Sequence, residues 1–297
     1  MKSVFRIFSC LFLAAALLSP LGGRAAEIDV VLIGGQSNAT GQGYMANLPR
    51  SFKIATSVLF FHSPFLNRGN GADRWGPLRQ ASETPDKFGV ELSLGTALQH
   101  FFPKRRIALV KHALSGSNLH TQWNPGNRPG ERAGSEYKKF IRTVRKALKV
   151  LQDRGDTPVI RAMVWQQGEA DARYDAGRRN SLRYGENLRN LILRIRKDLQ
   201  VPDMLFVYGE VMPMEAKRFS YRKEVREAQH LVDVRSKSAL STPGAYCLEG
   251  DDLQMRRNDY HTPYPQDDVH LGTFGILSLG ERFAAAIRQH GMPRTKR

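Results

Sequence analysis

Cysteine is nearly absent: the 297 residues contain two, Cys10 and Cys247. Cys10 falls in an N-terminal stretch that reads as removable, so one thiol remains. An internal disulfide is excluded, and stability has to come from a buried core. Long apolar runs are also scarce. One covers residues 7–18, and no later segment reaches the roughly 18 uninterrupted apolar residues of a spanning helix, so stable membrane insertion is not expected. There is no HExxH and no paired CxxC, and His62, His112, His120 and His261 are scattered, so no metal is expected. GGQSNATGQG lacks the Lys-Ser/Thr ending of a phosphate-binding loop and does not fit GxGxxG, so no nucleotide cofactor is expected either. Acidic residues are few, 28 against 45 Lys and Arg, for a net charge of +17.

The N-terminus explains part of that charge. Lys2 and Arg6, the apolar run and then Gly23-Arg24-Ala25 form the three parts of a secretory signal peptide. Residues 1–25 are therefore expected to be removed, leaving 26–297 as the working domain in the periplasm or outside the cell. Phe8, two residues before Cys10, argues against a lipoprotein attachment site. Removing Lys2, Arg6 and Arg24 takes +17 to about +14. The rest concentrates on helical stretches such as RTVRKALKV and LILRIRKDL. It reads either as a solvated helix face or as an attraction to anionic glycans or a negatively charged envelope. Nucleic acid would leave the same footprint, but export and the lack of a binding motif speak against it.

About 270 residues suffice for one large domain, and neither linker nor repeat is visible. Strand-like runs at 28–34, 57–61, 106–112, 158–165 and 204–211 alternate with helical patterns at 89–101, 136–153, 178–199, 221–235 and 272–289. Such alternation implies an α/β fold, a parallel sheet of about five strands with helices on both faces. Segments 62–87 and 238–266 read as long loops that border the site.

The chemistry begins where the first strand stops, at Gly34-Gly35-Gln36-Ser37-Asn38. Two glycines permit a sharp turn, and a serine there sits at the carboxyl end of a strand, where open α/β sheets bind ligands. It is either a nucleophile or a helix cap. A serine nucleophile needs an imidazole base and a carboxylate to orient it. QDDVHL supplies both: Asp267 precedes His270 by three residues, although a surface Asp and a capping His would look the same. Two further strands end in Ser115-Gly116-Ser117 and in Gln166-Gln167-Gly168-Glu169, with Trp123 and Asp171 close behind. The N–H groups of Ser37 and Gly116 and the amide of Gln167 would make an oxyanion hole. Trp75, Trp123 and Trp165 fall on or near these loops, and one or two of them are expected to stack on a sugar ring, with core packing the equal alternative for Trp165, which closes a strand.

GQSN, ALSGSNLHTQW, WQQGEAD and DDVHL, in this order, resemble the SGNH-hydrolase superfamily. Within it they are similar to the sialate O-acetylesterase-like branch and carbohydrate esterase family six. The likeness runs from about residue 28 to 287, with FGVELSLGTAL (88–98) resembling a family helix. It implies a three-layer α/β/α domain with a flavodoxin-like sheet, Ser37 as nucleophile, Gly116 as oxyanion glycine, and Asp267 and His270 as acid and base. Asp268 competes as the acid, but the spacing favours Asp267. The superfamily carries Asn in its third block; Gln167 stands there, as in this branch. Gln36, Asn38, Glu169 and Trp123 are expected beside the substrate. The implied activity is cofactor-free hydrolysis of acetyl esters on a glycan, whether acetylated sialic acid, xylan or another. A glycan-binding protein that keeps the fold without turnover is the alternative. Long acyl chains are disfavoured, because no lid-like apolar segment follows the signal.

Overall fold

The computed structural model describes residues 27–126, 131–212 and 218–291, so the expected signal peptide lies outside the described residues. The apolar run EIDVVLIGG forms β1 (Glu27–Gly35), buried from Ile28 onward. Burial on both faces is why it reads as continuous rather than alternating hydrophobicity, the pattern of a central parallel strand. A single helical turn, α1 (Ser37–Thr40), and β2 (Gly43–Tyr44) follow, then β3 (Leu59–His62), β4 (Gly76–Pro77) and β5 (Lys87–Phe88). Next come α2 (Glu91–Phe101), β6 (Arg106–Lys111), α3 (Ser135–Asp153), β7 (Thr157–Gln166), α4 (Arg178–Leu182) and α5 (Tyr184–Asp198). The chain ends in β8 (Leu205–Gly209), α6 (Arg222–Val232), β9 (Ala245–Leu248) and α7 (Thr273–His290). The helix expected over 178–199 is broken at Arg183, whose φ of −94° and ψ of 0° interrupt it.

Seven strands form the main sheet in the order β4-β3-β6-β1-β7-β8-β9, parallel except for β4, while β2 and β5 pair separately. All five expected strands are present, yet they are not the five of a flavodoxin-like core. That order, 2-1-3-4-5, is filled by β6-β1-β7-β8-β9. β3 and β4 are an extension beyond β6. β9 lies inside 238–266, which the sequence presents as loop: its four residues alternate buried with half-buried, too short a pattern to stand out.

Side chains of β1 alternate between two cores. Val30 and Leu32 join Phe140, Val144, Leu188 and Leu191 of α3 and α5 on one face. Val31 and Ile33 join Leu94 and Leu98 of α2 and Ile276 and Phe283 of α7 on the other. On α3, Tyr137, Phe140, Ile141, Val144, Ala147 and Leu151 are buried at three- and four-residue spacing. Burying each of the larger ones contributes about 1.5–3 kcal/mol. Among the described residues no helix is long and apolar enough to cross a membrane.

Candidate active site

β6, β1 and β7 lie side by side and end together, at the point where strand order reverses and α/β sheets open a crevice. Gly35 turns the chain there at φ +135°; a Cβ would lie 2.1 Å from the Gln166 carbonyl oxygen, so only glycine fits. Gly34, expected to share this task, is not in the left-handed region; a Cβ there would meet Met163 Cε at 2.7 Å, so its role is packing. The Gln36 N–H donates to Gln166 O at 2.9 Å, and Ser37 opens α1 with 5% of its surface exposed.

After β6, the Leu114 N–H donates to Gly35 O at 3.2 Å and brings the next loop against the serine turn. Gly116 has φ +70°, and a Cβ there would meet nothing within 4 Å, so this backbone faces open space. No acceptor for the N–H of Ser37 or Gly116 is found among the described residues.

Gln167 is fully buried. Its Nε2 donates to Asp171 Oδ2 at 2.7 Å and lies 3.2 Å from both Gln36 Oε1 and Ser117 O. An amide has two hydrogens, so the second is shared between two acceptors at the long end of the range. The free oxyanion donor expected from the sequence is therefore an engaged amide here, held by Asp171, Gln36 and Ser117. Asp171 also accepts the N–H groups of Leu119 at 2.7 Å and His120 at 3.1 Å, tying the second loop to the third. Burial pushes its carboxyl up to about 6. Burial pushes Glu169 up to about 7, and its Oε1 accepts Asn38 Nδ2 at 2.9 Å.

Asp267 and His270 meet on the loop before α7. Asp267 Oδ2 is 2.9 Å from His270 Nδ1, and Oδ1 accepts the N–H groups of Val269 at 2.9 Å and His270 at 3.1 Å. Asp268, the competing acid, is exposed and makes no such contact. Burial alone would raise the Asp267 carboxyl. The hydrogen bond and charge of His270, the Val269 N–H and the Arg256 cation outweigh it and hold the group well below the usual carboxylate range.

Arg256 is a residue that no sequence pattern marks. It is 5% exposed, pairs with Asp267, and donates from Nη1 to Gln42 Oε1 at 2.7 Å; its Nη2 is 3.4 Å from His270 Nδ1. Its backbone N–H donates to His270 O at 2.7 Å, and the Arg257 N–H donates to Asp267 O at 3.1 Å, so 256–257 cradle the loop that holds Asp267 and His270. The guanidinium packs 4.7 Å from the ring centre of half-exposed Tyr264. Glu83, from the long 62–87 loop, adds a carboxylate close to these groups. Burial works to raise it, but contacts to Ser115 and Gln42 and the charges of Lys87 and His270 hold it below its ordinary range.

The expected substrate contacts need correction. Trp123 is wholly buried, donates from Nε1 to Ser117 Oγ at 2.8 Å and packs edge-on against Trp165 at 4.9 Å, so it is a core residue. Trp75 and Trp165 are buried as well. Gln36, Asn38 and Glu169 are buried braces: Gln36 Oε1 accepts the Ala170 N–H at 3.0 Å, and Asn38 Oδ1 accepts the Leu271 N–H at 3.0 Å. A second hydroxyl–imidazole–carboxylate series, Ser63–His112–Glu136, has contacts of 2.9 and 3.1 Å, but Ser63 and His112 have no exposed surface, and the set links β3, β6 and α3. The open space lies at His270: a cleft of about 490 Å³ lined by Arg218, Tyr264, Asp268 and His270 among others. Two larger hollows, of about 680 and 650 Å³, lie against helices and contain none of the residues of this constellation.

The family described as "Carbohydrate esterase, sialic acid-specific acetylesterase" matches residues 27–289. Among solved structures, a protein from Arabidopsis thaliana is similar with a TM-score of 0.65 at 20% identity, covering 89% of this chain and 99% of its own. NanS is similar with a TM-score of 0.66 at 14% identity, over 90% and 98%. A carbohydrate acetylesterase from Xanthomonas citri gives 0.53 at 18% identity, over 88% of this chain and 56% of that one. These likenesses concern the fold. No curated protein matches the chain in sequence.

Proposed function

Because the chain belongs to the sialic acid-specific acetylesterase family of carbohydrate esterases, we propose that it removes acetyl groups from a glycan through Ser37, His270 and Asp267. His270 Nε2 takes the Ser37 proton as Oγ bonds to the acetyl carbon, and the C=O electrons move onto oxygen. The Ser37 and Gly116 N–H groups, joined by the Gln167 amide, hold that oxyanion. Collapse breaks the bond to the sugar oxygen, which leaves with the proton from His270. Water then attacks the acetyl-enzyme, giving its proton to His270, and acetate and free Ser37 are released. Asp267 fixes the imidazole tautomer and stabilises its charged form.

The observation that carries this reading is the 2.9 Å contact of Asp267 with His270, on a loop that Asn38 ties to the serine turn. Arg256 acts as a positioning residue. It joins Asp267 to Gln42, two residues beyond the turn Ser37–Thr40, and so locks the acid–base loop onto the nucleophile segment. The glycan sits in the cleft beside His270, where the leaving oxygen receives its proton, with the exposed face of Tyr264 against a sugar ring. An acidic sugar, acetylated sialic acid first among them, suits the family and the cationic surface. The enzyme acts outside the cytoplasm, following the reading of residues 1–25 as a signal peptide. The test is to quench a reaction with an aryl acetate in acid and map the acetyl group by peptide mass. Acetate on the peptide holding Ser37 supports the mechanism; a labelled peptide without Ser37 rejects it.

A further inference from the structure

The positive charge that ester hydrolysis does not use is organised. On α3, Lys138, Arg142, Arg145 and Lys149 are all exposed and follow one another at four-, three- and four-residue steps. Those steps place them in one stripe about 16 Å long. The stripe borders a groove of about 680 Å³ between α3 and α5, with Tyr137 and Ile141 in its floor and Arg194 on the far wall. Asp198 is the carboxylate lining it, and that group already accepts the Tyr137 hydroxyl at 2.6 Å and lies 3.7 Å from Arg194. Lys149 is paired with Asp153 at 2.8 Å. The side chains of Lys138 and Arg142, one turn apart, have no ion-pair or hydrogen-bond partner among the described residues. Like charges at this spacing repel, so folding gains nothing from the arrangement.

The helix that carries the stripe is tied at its head to a segment of the candidate site. The Gly134 N–H donates to Asn124 O at 2.7 Å and the Glu136 N–H to Gln122 O at 2.9 Å, which fastens the head of α3 to the loop carrying Ser115, Gly116 and Ser117. From there the stripe runs down the flank of the domain.

We propose that this groove is a track for a carboxylate-bearing polysaccharide, the polymer whose acetyl groups the Ser37 site removes; the assignment rests on the esterase reading above. Cations strung along a line match a polymer with charges at intervals, whereas a small anion is held by groups that converge on one point. Single-stranded nucleic acid binds by stacking bases on exposed aromatic rings. The groove has none, since Tyr137 is buried with its hydroxyl engaged.

The test measures binding of a fluorescent polygalacturonate to the whole protein, with neutral dextran and an oligothymidylate of similar length alongside. Wild type is expected to bind the polyuronate at about 50 mM salt, to lose affinity steeply by about 200 mM, and to ignore dextran. The double variant Lys138→Glu/Arg142→Glu is expected to lose at least about tenfold in polyuronate affinity while hydrolysing a small aryl acetate at the wild-type rate. Equal polyuronate affinity in wild type and variant overturns the groove, and tighter binding of the oligothymidylate overturns the ligand class. Absence of aryl acetate hydrolysis in wild type instead counts against the esterase mechanism and leaves the groove result readable.

Discussion

Asn38 Oδ1 accepts the Leu271 N–H at 3.0 Å, so the residue after Ser37 grips the residue after His270. The same side chain donates to Glu169 at 2.9 Å, and one amide thereby holds three loops. Asn38→Ala leaves a buried N–H and a buried carboxyl without this partner. It is expected to cost about 2–6 kcal/mol in urea unfolding, at about 1–3 kcal/mol for each of the two unsatisfied groups, and to lower kcat on an aryl acetate more than it changes KM. Unchanged stability and kcat would show that the amide braces nothing.

Arg256 sets both the position and the electrostatics of the dyad. Arg256→Met is expected to lower kcat by about tenfold to a hundredfold with KM little changed, as for a misplaced catalytic group. Its guanidinium pairs with Asp267 and lies 3.4 Å from His270 Nδ1, so its loss frees the acid–base loop from the serine segment. Arg256→Lys keeps the charge and is expected to retain more kcat than Arg256→Met. An unchanged kcat in Arg256→Met with only a lower melting temperature would make Arg256 merely structural.

Gln167→Ala is expected to lower kcat by about 100- to 1,000-fold, the usual cost of one oxyanion donor. It is also expected to destabilise the fold, because Asp171 loses its 2.7 Å donor and the Tyr184 hydroxyl its 3.0 Å acceptor. Steady-state kinetics with urea unfolding separates the two effects. A fully active, less stable variant would leave Gln167 as a brace only.

Glu169 links stability to pH. Its carboxyl ordinarily titrates at 4.5 and is raised to about 7 in the fold, chiefly by burial. Between those values the unfolded chain has lost a proton that the folded chain keeps, so stability falls as pH rises through this window and the loss is complete above it. The total is about 3 kcal/mol at 1.36 kcal/mol per pH unit. Asp171, raised to about 6, acts in the same direction, so the comparison is with Glu169→Gln, which keeps an acceptor for Asn38. The variant is expected to gain on wild type from pH 4.5 to 7 in urea unfolding. A constant difference across that range would contradict the raised value.

Much of this site is written in local patterns. Strand endings at Gly35, Lys111 and Gln166 follow from apolar runs meeting Gly, Ser and Gln, and the Asp267–His270 contact follows from a three-residue spacing on a loop. What stayed hidden depends on tertiary neighbours. Nothing in the neighbourhood of Arg256 announces that Gln42 and Asp267 will converge on it, 214 residues from the first of them. Trp123 sits near a catalytic loop in sequence but turns its ring into the core, because Phe140 and Trp165 come from other elements to receive it. The run at 57–61 is a true strand, but only the pairing of β6 with both β1 and β3 shows that it lies outside the flavodoxin-like five.

The most direct measurement compares acetate release from a small aryl acetate by the purified protein and by Ser37→Ala, each shown to be folded by its unfolding transition. Wild type is expected to turn over, with the variant at the uncatalysed background. Wild-type turnover by a folded Ser37→Ala protein would contradict the assignment of the nucleophile and, with it, the mechanism built on Ser37, His270 and Asp267.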